Sequence, residues 1–469
     1  MRKWEERELD ELLKRYAVPL RRKLIVLDDD PTGVQTVHGI RVITAVDERL
    51  LEQAFVSREN LFYILTNSRG GSEAEASRLN RRIAAMLLSL SAKTGMPFTL
   101  ISRGDSTLRG HYPLEIDALV AELAPTLEID GHFLIPAFFE GGRITSGNVH
   151  YLLENGRRIP VDRTEFARDP VFGFRHADLR KYIEEKSNGR IPAADVLCVS
   201  LEDLREGGPD RVYEIISGMK NGRVGIVNAE TYADLKIFAA GVLRAEASGK
   251  RLLFRSAASF VKALGGIPDK APLERDELVG KERKNGGIVI VGSHVAKSTV
   301  QLQHLFASRP SIRPVELSVP ELLREETRER ELSNASRRIH AALAEGTHVA
   351  VYTSRALVQG GTETEHLSIG RSVSSALIEL VRRLAVEPRF IVSKGGITSS
   401  DIATEGLGIR SAVVLGQAAK GVSVWACGPE SKFPGLPYIV FPGNVGTEET
   451  LTEVVSKCMN DGEDGVAKV

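Results

Sequence analysis

Cysteine is scarce in this chain: three residues in 469, Cys198, Cys427 and Cys458, with no CxxC or Cys/His spacing that would suit zinc. A reduced, cytoplasmic setting is the simplest expectation from that usage. Neither sign of charge is in excess, with 62 Lys and Arg against 62 Asp and Glu, and no long basic run stands out. A nucleic-acid groove or an anionic membrane partner therefore has little support. No apolar run approaches the roughly 20 residues of a membrane span. The highly charged stretch Met1 to Arg22 has no apolar centre of the signal-peptide kind. Two nucleotide fingerprints are missing as well. There is no GxxxxGK[ST], so the chain is not a P-loop protein, and no GxGxxG opens a βα unit, which argues against a dehydrogenase.

What is present is an alternation of short apolar runs with amphipathic stretches. Leu24–Leu27, Ile40–Thr44, Leu61–Thr66, Phe98–Ser102 and Phe133–Pro136 are expected as strands, with Ser72–Ala92 and Pro113–Leu123 as helices between them. Ala137 to Pro170, rich in Gly, Arg and Pro, interrupts this rhythm and reads as an excursion over a site. It resumes near Val196–Val199, Val224–Val227 and Leu252–Phe254. Gly and Pro with a charged passage over 266–286 read as a linker, after which a second alternation runs from Gly287. The expectation is an α/β chain of two domains, each a mostly parallel sheet flanked by helices: residues 1–265, a linker at 266–286, and residues 287–469.

Chemistry collects where the strands should end, the place where open α/β sheets bind ligands. Asp28-Asp29-Asp30-Pro31-Thr32-Gly33 follows the first strand, and adjacent carboxylates cost stability unless cations or donors compensate them. Thr66-Asn67-Ser68-Arg69-Gly70-Gly71 follows the third. Arg103-Gly104-Asp105-Ser106-Thr107-Leu108-Arg109-Gly110-His111 follows the fourth, and Pro136 to Arg143 the fifth. Any one of these stretches could be an ordinary capped turn with a structural Asp–Arg pair. Their recurrence points to a polar pocket for a small, hydroxylated anion, in which arginines recognise a carboxylate or phosphate and Gly110 lets the backbone approach closely.

The second half carries glycine turns instead. Gly292-Ser293 precedes one predicted helix, Gly395-Gly396-Ile397-Thr398 another, and Gly443-Asn444-Val445-Gly446 the last. Such turns aim backbone N–H groups at an anion, and three in one domain favour a phosphate-bearing ligand, a nucleotide in particular.

Together these stretches resemble the four-carbon acid sugar kinases, two-domain enzymes that phosphorylate tetronates and related C4 acids with ATP. The ADDxTG pattern of that family is met from Asp29 to Gly33, with Asp28 in the place of alanine. DSTLRGN is met by Asp105 to Gly110, with His111 in the place of asparagine. Pro136, Ala137, Gly142, Arg143, Gly292-Ser293, Gly428-Pro429-Glu430 and Gly443-Asn444-Val445-Gly446 follow in order. In the GGxT loop, Ile397 stands where an acidic residue is more usual. The resemblance implies a sugar-acid-binding first domain and an ATP-binding second one. On that basis Asp29, Arg69, Arg103, Ser106, Thr107, Arg109, Gly110 and Arg143 are the expected substrate-binding residues, with Arg103, Arg109 and Arg143 clamping the acid's carboxylate. Asp30 or Asp105 would take the hydroxyl proton. Ser293, Gly395, Gly396, Ile397, Thr398, Gly443 and Asn444 would hold ATP, with Mg²⁺ on its phosphates and no protein ligand assigned to the metal. A homodimer is left open, and a non-catalytic sensor of sugar acid and nucleotide is the alternative reading.

Overall fold

The computed structural model describes residues 4–154, 156–280, 283–292, 296–355, 363–443 and 445–459. The chain divides into two compact units, residues 1–269 and 270–469.

In the first unit the strands are β1 (Lys23–Asp28), β2 (Ile40–Ile43), β3 (Leu61–Leu65), β4 (Phe98–Arg103), β5 (Gly131–Ile135), β6 (Arg143–Ser146), β7 (Val149–Glu154), β8 (Arg157–Pro160), β9 (Leu197–Val199), β10 (Arg223–Val227) and β11 (Leu252–Ser256). Eight of them form a parallel sheet in the order β2-β3-β1-β4-β11-β5-β10-β9. Every residue of β1, β3, β5 and β11 is buried, as expected of parallel strands covered on both faces. The chain leaves β1 for β2 and β3 on one side and reaches β4 on the other, so the strand order reverses at β1. The loops after β1, β3 and β4 meet at that switch point. The helix Glu73–Thr94 between β3 and β4 starts on a Ser72/Glu75 capping box and stops at Gly95, whose φ is 68°.

The interruption at 137–170 is a built element. β6, β7 and β8 form an antiparallel sheet of their own, with Ser146 opposite Val149 across a Gly147–Asn148 turn. Both turn residues have positive φ, 57° and 67°, as a two-residue hairpin turn requires.

In the second unit β12 (Ile288–Val291), β13 (Arg313–Leu317), β14 (Val349–Thr353), β15 (Ile391–Lys394), β16 (Ser411–Ala419), β17 (Val422–Cys427) and β18 (Pro437–Phe441) run in the order β13-β14-β12-β15-β18-β17-β16. The first five are parallel, and β17 is antiparallel to both its neighbours. Here the order reverses between β12 and β15. The stretch 266–286, expected as a linker, includes the helix Arg275–Val279, and Leu273, Leu278 and Val279 are buried in the second unit's core. No helix among the described residues is long and apolar enough to cross a membrane.

Candidate functional site

At the end of β1 the three aspartates have three different surroundings. Asp28 is buried, and its Oδ1 accepts from Arg103 Nη1 at 3.2 Å and from the Asp30 N–H at 3.3 Å. Burial pushes its carboxyl up to about 7, against the pull of Arg103 and reinforced by Asp29 and Asp30. A Cβ on Gly33 would overlap that carboxylate, so the turn closes over Asp28 only with glycine there. Asp29 is buried as well, with Arg69 Nη2 at 2.5 Å from Oδ1 and Arg255 Nη2 at 3.4 Å from Oδ2. Asp30 is half-buried. It accepts from the Thr32 N–H at 2.8 Å and the Thr32 hydroxyl, and pairs with Arg69 Nη1 at 3.2 Å. Burial opposes its charge, but Arg69 and the Thr32 donors outweigh that and hold the carboxyl below its ordinary value.

The loop after β4 is held from beneath. Arg255, at the end of β11, is buried and donates to Ser102 Oγ at 2.8 Å and Glu115 Oε2 at 2.5 Å. Glu115, also buried, accepts from Ser68 Oγ at 2.5 Å, which ties this loop to the one after β3. Gly104 and Gly110 pass so close to the Arg255 guanidinium that a Cβ on either would collide with it, and Gly110 has φ 123°. From the other side, the buried His150 of β7 faces the Ser106 carbonyl at 2.8 Å, and Tyr182 Oη donates to the Leu108 carbonyl at 2.8 Å. Burial keeps His150 neutral, with its imidazole pushed down to about 4. Asp105 rests in this cradle with Arg109 Nε at 2.7 Å and the Thr107 hydroxyl on the same oxygen. Against the effect of burial, Arg69, Arg109 and Thr107 hold its carboxyl far below the usual range.

The expected catalytic and substrate-binding residues thus separate by exposure. Asp29, Arg103, Ser106, Thr107 and Gly110 are buried, and Asp30, Arg69, Asp105, Arg109 and Arg143 are half-buried. Arg103, expected in the carboxylate clamp, is instead the buried partner of Asp28. Its length and charge are used up inside the sheet. Arg109 is shared between Asp105 and Asp169, 3.7 Å away, and lies 5.0 Å above the Phe166 ring. Arg143 differs from the rest. It donates to the Gly141 carbonyl and lies 6.0 Å from the Phe138 ring centre, with no carboxylate within ion-pair distance among the described residues. Burial and the neighbouring Arg109 pull it below its ordinary value, against the nearby charges of Asp105 and Glu154.

In the second unit Gly292 packs against Thr398, which brings the loops after β12 and β15 together. The loop after β18 is fixed to the helix Ala296–Ser308 by Ser298 Oγ on the Gly443 carbonyl (3.3 Å) and Gln301 Nε2 on the Val445 carbonyl (3.1 Å). Gly395 has φ 120° and leads into the helix Gly396–Asp401. Ser293, Asn444 and the side chain of Ile397 lie outside the described residues. Glu430 of the Gly-Pro-Glu turn is structural, accepting from the Arg410 N–H at 2.8 Å and the Ser411 N–H at 2.5 Å.

Comparison with known proteins matches both halves. A model described as a sugar-binding N-terminal domain covers residues 24–264, and one described as a nucleotide-binding C-terminal domain covers residues 288–451. The chain belongs to the four-carbon acid sugar kinase family. A curated relative, D-erythronate kinase of Heliobacterium modesticaldum, is 31% identical over 294 residues, 60% of this chain. The chain spans 59% of that kinase's length. Two solved structures share the family fold at 17% identity. A Haemophilus influenzae protein covers 93% of this chain and 100% of its own with a TM-score of 0.65. A Salmonella typhimurium LT2 protein, provisionally called a tRNA synthase, covers 92% and 98% with a TM-score of 0.69. At that identity the likeness concerns the fold alone.

For this four-carbon acid sugar kinase family member, sequence reasoning missed Arg255, Glu115 and His150. Arg255 carried a signal, because it ends an apolar run in the way Arg103 does. Glu115 carried none, being one acidic residue in the first turn of a helix, where acidic residues are common.

Proposed function

We propose that this chain is an ATP-dependent kinase that phosphorylates a hydroxyl of a four-carbon sugar acid, of the tetronate or 3-oxotetronate class. The observation that carries the reading is Arg143, a half-buried guanidinium without a carboxylate partner among the described residues, in the electrostatic reach of Asp105 and Arg109. A ligand carboxylate supplies the missing charge. The likeness to a D-erythronate kinase and the two domain matches support the same assignment.

In this reading Arg143 and Arg109 bind the acid's carboxylate, and Asp105 orients Arg109 and a substrate hydroxyl. Asp30 is the base. Each of the two carboxylates feels two arginines, Arg69 and Arg103 for Asp30 and Arg69 and Arg109 for Asp105, but Asp105 is held far below the usual range and is the poorer proton acceptor. The hydroxyl oxygen bonds to the γ-phosphorus, its proton passes to Asp30, and the bond to the bridging oxygen breaks to leave ADP. Among the described residues no three Asp, Glu, His or Cys side chains gather into a metal cage. Mg²⁺ does not require one, since it keeps several waters and takes phosphate oxygens. Bound with ATP, it would neutralise charge on the β- and γ-phosphates.

The deciding experiment is ADP formation by the full chain across a panel of C4 acids. Acid-dependent ADP release supports a kinase. Binding of both ligands without turnover would leave the sensor reading standing instead.

A further inference from the structure

One buried cation of the second unit has no role in the account above. Lys394 ends β15 with its side chain fully buried. Its Nζ donates to the carbonyls of Pro442 (3.2 Å) and Gly443 (3.5 Å) and stands 4.0 Å from the centre of the Phe441 ring. Among the described residues, the charged group that acts on it is another cation, Lys297, in the first turn of the helix Ala296–Ser308. A third lies at the same strand ends. Arg355, just after β14, donates through Nη2 to the Val291 carbonyl of β12 (3.3 Å) and through Nη1 to Thr299 Oγ1 on that helix (3.4 Å). The Gly443 carbonyl is shared between Lys394 and Ser298. The loop after β18, the end of β15 and the helix's first turn are therefore one hydrogen-bonded unit at the switch point of the sheet.

Burying an ammonium against carbonyls and a ring, beside a second cation, is unfavourable until an anion arrives. We infer that Lys394 is a positioning residue of the nucleotide site: its charge, set beneath the loops of Gly395 and Gly443 and reinforced by Lys297 and Arg355, selects ligands by their number of phosphates. The inference rests on the reading that this unit binds ATP. It is consistent with burial and Lys297 holding the Lys394 ammonium down to about 7, a value that a nearby phosphate would raise.

The test is calorimetric titration of the full chain with ATP, ADP and adenosine, for the native protein and for Lys394→Met, which keeps the length and removes the charge. The expected result is a loss on the order of tenfold or more for ATP, less for ADP, and adenosine affinity kept within about twofold. Equal loss for ATP and adenosine would make Lys394 a structural staple and overturn the inference, as would no loss at all. Should the variant not fold, the native protein suffices. Titration with ATP at pH 8.5, in buffers of different ionisation enthalpy, should show proton uptake that adenosine does not cause, and its absence overturns the inference. A native protein that binds no nucleotide overturns the kinase reading itself. Native binding of ATP with an unchanged Lys394→Met variant overturns only the role of Lys394.

Discussion

The two strand-end clusters are built on opposite electrostatic plans. In the first unit almost every buried charge has a partner: Asp28 with Arg103, Asp29 with Arg69 and Arg255, Glu115 with Arg255, Asp105 with Arg109. In this strand-end cluster the half-buried Arg143 has no carboxylate within ion-pair distance among the described residues. In the second unit Lys394 is buried against carbonyls and an aromatic face, beside another cation. A paired network is rigid before its ligand arrives and leaves about one charge to be satisfied, which suits a monoanionic acid with hydroxyls. A buried ammonium held by neutral carbonyls and a ring is costly until an anion arrives, and it suits a ligand of several negative charges. The difference in charge pairing thus fits the proposed division between sugar acid and nucleotide.

The strongest way to break that division is at the carboxylates. Asp30→Asn keeps the size and removes the basicity, and kcat is expected to fall by about 10²–10⁴-fold with substrate affinity little changed. Asp105→Asn should instead weaken sugar-acid binding, because Arg109 loses its anchor. Steady-state kinetics with binding measured separately checks both. The reverse pattern would exchange the two roles, and near-normal turnover in both would remove these carboxylates from the chemistry.

Stability should show the same contrast. Arg255→Ala leaves Glu115 and Asp29 buried with less compensation, a loss of about 3–5 kcal/mol. Lys394→Met strands no carboxylate among the described residues and should cost about 1–2 kcal/mol, through the loss of two long bonds to carbonyls, one of which keeps Ser298 as a donor. Urea unfolding of the two variants makes the comparison. Equal losses would mean that the clusters are not built differently.

This asymmetry was only partly legible in the sequence. Continuous apolar runs announced β1, β3, β4 and β12 because strands buried on both faces need them. β13 was missed. Its burial alternates over Arg313–Leu317, it contains Pro314, and it lies at the edge of the second unit's parallel strands, so it lacks such a run. The hairpin β6–β7 was missed although Gly147–Asn148 is a recognisable turn signal, since the surrounding Gly and Arg suggested a loop. At the site, residue types at strand ends indicated where charge would gather. Which arginine would be consumed inside the sheet and which would stay available depends on partners far apart in sequence, such as Arg255 and Glu115. Arg103 and Arg143 look alike in the chain, and only the tertiary structure separates them.

Arg143→Ala sharpens the comparison from the ligand's side. Loss of one charge-assisted bond should weaken sugar-acid binding by about 1.5–3 kcal/mol while ATP affinity stays the same. Titration of each ligand alone decides it. An equal loss for ATP would dissolve the separation of the two sites, and an unchanged acid affinity would return the clamp to Arg109.

A last contrast concerns two glycines that serve their loops differently. Gly33 is fixed by a neighbour already present: a Cβ there would meet the Asp28 carboxylate. Gly33→Ala should therefore destabilise the fold by about 1–3 kcal/mol as the turn lifts off Asp28. In an Asp28→Ala background most of that cost should vanish, a coupling of about 0.5–3 kcal/mol. Gly396 has open space where its Cβ would go. Gly396→Val should leave stability within about 0.5 kcal/mol and raise the apparent KM for ATP. Thermal unfolding of Gly33→Ala, Asp28→Ala, their double variant and Gly396→Val, with ATP kinetics for the last, tests both. If Gly396→Val left nucleotide affinity untouched, the loop after β15 would be an ordinary turn. If Gly33→Ala cost the same with and without Asp28, the buried carboxylate would not be what that glycine accommodates.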